Sequence, residues 1–198
     1  MNSANKQTSK PTQPCAVCKS EASFFVTKDG FDEYMCPTCD LSFVYPQPEM
    51  KFLSEEVYSA KSGYQANKST DLSTTVPTYK QKKLLKYLSQ RPVGTFLDVG
   101  CSSGELMYLA KKLGYHVIGV ELNARTVNIA RQNGLKVYQG TLDSLDLSPG
   151  SLDIIHMGDL LEHVPDPRAL IDQAKKLLKP NGELIILTPN TDCFWSHI

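Results

Sequence analysis

The sequence contains 198 residues, 41% of them hydrophobic, and its 21 basic residues balance its 21 acidic residues. That length suits one domain with a small extra module, and balanced charge argues against a broad basic surface for nucleic acid. No apolar run approaches the roughly 20 residues that cross a bilayer, and nothing at the start resembles a secretory signal. We therefore expect a cytoplasmic protein that does not bind a membrane and for which nucleic acid is a disfavoured partner.

Two Cys-x-x-Cys pairs follow a polar stretch, residues 1–14, which we expect to be a disordered tail. Seventeen residues separate the pairs, which is the spacing of a tetrahedral four-thiolate zinc site. The predicted ligands are Cys15, Cys18, Cys36 and Cys39. We predict a zinc ribbon over residues 15–50 with a structural ion, because four cysteines leave no coordination position open for water or substrate.

Two other interpretations of these cysteines stay open. Two disulfides would fit an oxidising compartment, but the chain shows no secretory signal. A redox Cys-x-x-Cys would need a βαβ setting, which the motif lacks. A ribbon this small has too few apolar residues to fold alone, so metal binding would supply much of its stability. Cys193, near the end of the chain, receives no role.

A connector is predicted over residues 51–75, followed by a helix from Tyr79 to Leu88. The lysines of this helix either touch an anionic acceptor or simply face water. Solvation is the usual fate of a charged helix face.

The segment from Phe96 to Gly104 predicts a buried strand, a glycine turn and the start of a helix. Gly100 and Gly104 let the backbone pass close to a ligand, which a Cβ would block. The free backbone N–H groups of the turn face a polar or anionic group. Cys101 fills a small space in the turn.

A second strand, His116 to Val120, ends in Glu121, an acid that can accept hydrogen bonds from both hydroxyls of a ribose. A dinucleotide site would require Gly-x-Gly-x-x-Gly, whereas the spacing here is Gly-x-x-x-Gly. Asp98, two residues before the first glycine, would repel a phosphate but suits an ammonium group. These residues favour a nucleoside cofactor that carries an ammonium group.

Three further strands are predicted, at Val137 to Gly140, Leu152 to Met157 and Glu183 to Asn190. A helix from Pro167 to Leu178 precedes the last of them and is stopped by the Lys-Pro-Asn-Gly sequence at 179–182. The alternation predicts an α/β fold with a doubly wound, mostly parallel sheet. Many proteins share that architecture, so the fold alone does not give the function.

Taken in order, these motifs resemble the class I S-adenosylmethionine-dependent methyltransferases over roughly residues 76 to 190. Ser102 stands where that family often has glycine. The resemblance implies a Rossmann-like core over residues 76–198 that binds S-adenosylmethionine and methylates a small-molecule or glycan-type acceptor. The cofactor-binding residues that it implies are Asp98, Gly100, Cys101, Gly104, Glu121, Leu122, Thr141, Leu142 and Asp143.

The family resemblance also bears on the two ends of the core. Leu41 to Pro48 and the region of Tyr58 and Tyr64 look like the connector of zinc-ribbon methyltransferases of sugar, cell-envelope and secondary-metabolite pathways. The family sheet normally has seven strands, and only five are visible here. We therefore expect a C-terminally incomplete core, or a protein partner or missing segment that covers the last strand.

His163 is the candidate catalytic base, because it follows the fourth strand, where the acceptor should approach the methyl group. Its alternative role is to lock a loop by hydrogen bonding. Asp159, Glu162 and His163 also resemble the divalent-ion pattern of some quinone-precursor O-methyltransferases, although local hydrogen bonding and capping explain them equally well.

Two alternative functions stay open. The first is an RNA methyltransferase that grips its substrate with the ribbon. The second is a non-catalytic module that binds the cofactor and presents the ribbon to another protein.

Overall fold

The computed structural model describes residues 10–48 and 70–190. The described residues divide into two compact units, residues 10–48 with Asn190, and residues 70–189. Most of the predicted connector, with Tyr58 and Tyr64, lies outside the described residues, and so does Cys193. The smaller unit carries the two cysteine pairs and the larger unit carries the glycine turn.

The smaller unit is an antiparallel sheet of four strands in chain order. The strands are β1 (Gln13–Pro14), β2 (Glu21–Lys28), β3 (Phe31–Met35) and β4 (Ser42–Val44). Asp29 and Gly30 join β2 to β3, both with positive φ (51° and 84°), as a tight hairpin turn requires. Tyr34 is buried, with its ring 5.9 Å from that of Phe24 and 6.0 Å from that of Phe43.

Two short strands correct the boundaries expected from the sequence. β1 lies inside the predicted tail, because Gln13 and Pro14 pair with β2. β4 lies inside the stretch expected to resemble a connector, because it pairs with β3 and stacks Phe43 on Tyr34. Strands of two and three residues are too short to show an alternating pattern of apolar residues.

The larger unit contains a parallel five-stranded sheet in the order β7-β6-β5-β8-β9. The strands are β5 (Thr95–Val99), β6 (His116–Glu121), β7 (Lys136–Gln139), β8 (Leu152–Gly158) and β9 (Leu178–Leu187). Among the described residues, the α-helices of this unit are α1 (Tyr79–Leu88), α2 (Glu105–Lys112), α3 (Ala124–Gln132) and α4 (Pro167–Leu177). The predicted doubly wound α/β fold is confirmed. The order of the strands reverses between β5 and β8, and ligands of open α/β sheets bind at such a reversal.

Local sequence explains where the helices begin. Thr78 and Gln81 form a reciprocal capping box at the start of α1. Asn123 accepts hydrogen bonds from two backbone N–H groups at the start of α3, and Asp166 caps α4 ahead of Pro167. These caps satisfy N–H groups that a helix cannot pair internally.

The larger unit differs from the sequence prediction at two places. Leu72 is fully buried, in a short 3₁₀ turn (Leu72–Thr74), and its N–H donates to Asn133 Oδ1 at 3.0 Å. The packed core therefore begins before residue 76. α4 ends at Leu177, as the predicted stop requires, but β9 begins at once at Leu178; residues 179–182 form an irregularity in its pairing with β8, since Leu152 pairs with Leu178 and Ile154 with Glu183.

β9 forms one edge of this sheet among the described residues. The expectation that another segment or a protein partner covers β9 stays a prediction. Over the described ranges, we find no helix with both the length and the apolar character that crossing a bilayer demands.

Candidate functional site

A cavity of about 890 Å³ opens at the carboxyl ends of β5, β6 and β8, within the larger unit. This is the point where the strand order reverses. The residues predicted from the sequence that line this cavity are Asp98, Gly100, Cys101, Glu121, Leu122, Thr141, Leu142 and His163. Gly104 and Asp143 are predicted site residues that do not line it.

The turn after β5 has a backbone that suits glycine. Gly100 has φ +75°, and a Cβ on it would lie 3.1 Å from Leu160 Cδ1. Ser102 has φ 52°, a value that L residues rarely adopt and glycine adopts freely. This conformation fits the glycine that the family resemblance led us to expect at that position.

Gly104 acts through packing. It has φ +84° and begins α2, and a Cβ there would lie 2.5 Å from Leu135 Cδ1 and 3.2 Å from Ala130 Cβ. The missing side chain lets α2 approach α3. Asp143 is exposed and accepts a hydrogen bond from the Thr141 hydroxyl.

Glu121 holds the turn against the next strand. Its Oε2 atom accepts a hydrogen bond from the Ser102 N–H at 2.9 Å, and its Oε1 atom accepts one from the Asn123 N–H at 2.9 Å. A carboxylate oxygen can accept more than one hydrogen bond. Both oxygens therefore retain acceptor capacity toward the cavity.

Asp98 and His156 form a buried pair on the cavity wall. The Nδ1 atom of His156 lies 2.7 Å from Asp98 Oδ1, and the two residues are 5% and 4% exposed. The imidazole stacks on Phe96 at 6.1 Å. Among the described residues, the buried Nε2 atom has no hydrogen-bond partner.

Sequence reasoning missed His156, because one histidine in an apolar strand usually indicates a satisfied core residue. The useful signal was the pairing of β8 with β5, which sets His156 opposite Asp98. It also missed Thr78 and Gln81 at the start of α1, which line the cavity together with Lys80, one of the helix lysines considered for contact with an acceptor. No local pattern indicates which surface the end of a helix will face.

Cys101 fits its predicted role as a small filler. It is buried, and a Cβ on Gly119 would lie 2.7 Å from its Sγ atom. Burial raises the pKa of the Cys101 thiol, and the nearby charges of Asp98 and Glu121 raise it further. The thiol therefore stays protonated and unreactive.

Among the described residues, the structure does not bring Asp159, Glu162 and His163 together as a ready metal site, and the divalent-ion hypothesis stays a prediction. Asp159 forms an ion pair with Lys80 at 2.8 Å, and Glu162 Oε2 accepts from the Thr188 hydroxyl at 3.2 Å. Within the described residues, the only group of Cys, His, Asp or Glu side chains near enough to share a metal ion is the cysteine quartet.

The four cysteine sulfurs of the smaller unit lie within 4.8 Å of one another. Cys15 and Cys39 Sγ are 3.7 Å apart, and Cys18 and Cys36 Sγ are 3.4 Å apart. A tetrahedral zinc ion with Zn–S bonds of ~2.3 Å would separate sulfurs by about 3.8 Å. The donor set therefore fits a thiolate-bound metal ion.

Both cysteine pairs lie on turns of the same shape. The Cys15 N–H donates to Ser20 O at 2.8 Å, and the Cys36 N–H donates to Leu41 O at 3.0 Å. A residue with positive φ follows at the equivalent position, Lys19 in one turn and Asp40 in the other. The Ser20 hydroxyl, followed by the Ser20 N–H, lowers the pKa of Cys18 to about 6.

The parallel sheet, the glycine turn and an acid at the tip of the neighbouring strand define the fold that binds nucleoside cofactors. A sequence model described as "Methyltransferase domain" matches residues 74–197. The chain belongs to this methyltransferase-domain family, and its fold is that of S-adenosylmethionine-dependent methyltransferases.

Curated relatives include proteins named "Ubiquinone biosynthesis O-methyltransferase". The one from Xylella fastidiosa (strain 9a5c) is 37% identical over 54% of this chain and 47% of the relative. The one from Pectobacterium carotovorum is 34% identical over 54% of this chain and 49% of the relative. The chain spans about half the length of the curated relatives that it matches.

Solved structures support the fold. An S-adenosylmethionine-dependent methyltransferase from Thermotoga maritima is 28% identical, with a TM-score of 0.50 over 60% of this chain and 56% of that chain. One from Archaeoglobus fulgidus is 23% identical, with a TM-score of 0.53 over 75% of this chain and 62% of that chain.

Proposed function

We propose that the larger unit binds S-adenosylmethionine in this cavity and transfers its methyl group to a hydroxyl of a small-molecule acceptor. The observation that carries the proposal is that Glu121 and the Asp98–His156 pair line one cavity on either side of the glycine turn. The relatives named as O-methyltransferases support a hydroxyl acceptor.

The residues that line the cavity suit the chemistry of the cofactor. Thr141 and Leu142, which follow β7, would border the adenine, and Glu121 would bind the ribose hydroxyls. The turn at Gly100 would let the backbone approach the rest of the cofactor, since a side chain there would meet Leu160. Gly104 and Asp143 would act indirectly, by holding the turn and the Thr141 loop.

When bound, the cofactor would supply a methyl group on a positively charged sulfur; its sulfur–carbon bond would break as the acceptor oxygen–carbon bond forms, and S-adenosylhomocysteine would leave. His163 takes the acceptor's proton, because it lies on the cavity wall after β8. A positioned general base contributes about 10²–10⁴-fold in rate. Holding the acceptor in line with the methyl group supplies a further part of the acceleration.

The acceptor would enter on the side of β8 and β9. Leu160, Val164 and Leu187 line that side of the cavity and favour an acceptor with apolar surface. The Lys80–Asp159 ion pair lies on the same wall. Because Lys80 already neutralises Asp159, that wall does not demand a charged acceptor.

The smaller unit would hold one structural zinc ion through Cys15, Cys18, Cys36 and Cys39. The sulfur separations and the matched turns support this assignment. Its buried apolar core is small, so the ion would contribute directly to folding. Four thiolates would leave no open position on the ion, so it would take no part in methyl transfer.

A methyl-release assay tests the proposed activity. The chain is mixed with S-adenosylmethionine and, in separate wells, a panel of small phenols and aliphatic alcohols, and S-adenosylhomocysteine is measured. We expect product only in wells that contain an acceptor, and none with the methyl ethers of the same acceptors. Cofactor binding in calorimetry without methyl loss in any well would contradict the transfer and favour a non-catalytic module.

A further inference from the structure

We propose that His156 is a positioning residue that receives the α-ammonium group of the cofactor through its Nε2 atom, with Asp98 holding the imidazole from behind. This inference rests on the proposed function, because it assigns one end of the same cavity. The sequence predicts that Asp98 contacts the ammonium group directly. In this inference His156 makes that contact, and Asp98 acts through it.

The first step is the state of the imidazole. The Nδ1 atom faces Asp98 Oδ1 at 2.7 Å, and a carboxylate oxygen accepts, so Nδ1 is the donor. In a neutral ring, Nε2 then carries the lone pair. A protonated ring would instead leave a buried Nε2–H group without an acceptor among the described residues.

The second step is access to the ring. His156 is 5% exposed and its Nε2 atom has no partner among the described residues, yet the residue lines the cavity. Gly158 lies two residues further along the strand, on the same face. A Cβ on Gly158 would lie 2.6 Å from His156 Cε1 and 3.0 Å from Nε2, so only a glycine fits beside this edge of the imidazole, where the buried Nε2 atom stays unpartnered among the described residues.

The third step is the direction of the cofactor. Glu121 ends β6, and the adenine side of the cavity lies toward β7. The opposite end of a nucleoside held at Glu121 therefore extends across β5 to β8, where His156 lies. Adjacent strands are ~4.8 Å apart, so β6 and β8 are separated by about 10 Å, which suits the span from a ribose to an amino-acid group.

The fourth step is charge. A neutral imidazole beside a carboxylate gives the pair a net negative charge in a buried setting. A lone pair with that charge behind it attracts an ammonium group and disfavours a carboxylate group. The amino-acid end of the cofactor carries both groups, so this geometry assigns the ammonium to Nε2.

The test compares three ligands by calorimetry on the full chain. S-adenosylhomocysteine has the whole amino-acid end, 5′-methylthioadenosine lacks it, and 5′-(3-aminopropylthio)-5′-deoxyadenosine keeps the amine without the carboxylate. The variant is His156→Asn, whose amide nitrogen takes the place of Nδ1 and still donates to Asp98, while nothing replaces Nε2.

We expect His156→Asn to weaken binding of both amine-bearing ligands by about 10- to 100-fold, and to change methylthioadenosine binding less than twofold. Equal losses for all three ligands would reveal a merely structural histidine and overturn the inference. An aminopropyl analogue that behaves like methylthioadenosine would contradict the ammonium assignment. A wild-type chain that binds none of the three would overturn the proposed function, and this inference with it.

A second measurement tests the same contact without the His156→Asn substitution. In the wild-type chain labelled with ¹⁵N-histidine, S-adenosylhomocysteine should shift the Nε2 resonance of His156, and methylthioadenosine should leave it in place. The same shift with both ligands would contradict a direct contact with the ammonium group.

Discussion

The backbone N–H of Ser102 donates a hydrogen bond to Oε2 of Glu121 at 2.9 Å. This contact joins the glycine turn after β5 to the end of the neighbouring strand β6. It places the proposed ribose acceptor and the proposed backbone cradle in one fixed arrangement. Such preorganisation lowers the cost of ordering the site when a ligand binds.

The conformation of the turn predicts the effect of filling Gly104. Gly104→Ala adds a methyl group 2.5 Å from Leu135 Cδ1 at φ +84°, so it should lower the free energy of unfolding by about 2–3 kcal/mol. Gly134→Ala is the matched control, because its φ is +70° and the nearest atom is 4.0 Å away. Its cost should stay near 1 kcal/mol. Urea unfolding of both variants measures the difference, and equal losses would contradict the packing argument.

His163 is expected to affect turnover and not cofactor binding. His163→Asn should lower the rate of methyl transfer by about 10²-fold or more and leave the affinity for S-adenosylhomocysteine unchanged. His116→Asn, at an exposed position outside the cavity, controls for loss of an imidazole. A parallel loss of melting temperature and cofactor affinity in His163→Asn would indicate that the histidine locks a loop instead.

The cysteine quartet predicts a metal content. Elemental analysis of the purified chain should find about one zinc ion per chain, and Cys36→Ser should lose it. Cys101→Ala should keep it, since Cys101 lies in the other unit and outside the quartet. Zinc retained by Cys36→Ser at the wild-type level would contradict the site.

Asp153 predicts a dependence of stability on pH. Its carboxylate accepts from Lys179 Nζ and from the Thr95 N–H, both at 2.8 Å, and the pKa of Asp153 is lowered by Lys179 first and then by Thr95. A lowered pKa in the folded state stabilises the fold above the ordinary value near 4, and the contribution disappears as the pH falls through the folded-state pKa.

Asp153→Asn should therefore lower the free energy of unfolding by about 1 kcal/mol at pH 7, with a smaller difference at pH 3. The exposed Asp146→Asn serves as the control and should match the wild type at both values. A difference between Asp153→Asn and the wild type that grows as the pH falls would have the wrong sign for this account.

Local patterns predicted the parts of the site that belong to a single strand and its turn. Gly100 and Glu121 could be predicted because a glycine turn and an acid at a strand tip are visible in short segments. His156 could not, because its meaning depends on a partner 58 residues away on a paired strand. Leu72 was missed for the same reason, since its burial depends on packing against distant residues such as Met107 and Val127.

The most direct test of the central claim is calorimetry of the chain with S-adenosylmethionine, comparing the wild type with Glu121→Gln. The exposed Asp172→Asn provides a matched change of carboxylate to amide. We predict one binding site per chain, affinity lower by about 10-fold or more in Glu121→Gln, and wild-type affinity in Asp172→Asn. Wild-type affinity in Glu121→Gln would contradict the placement of the nucleoside at the end of β6.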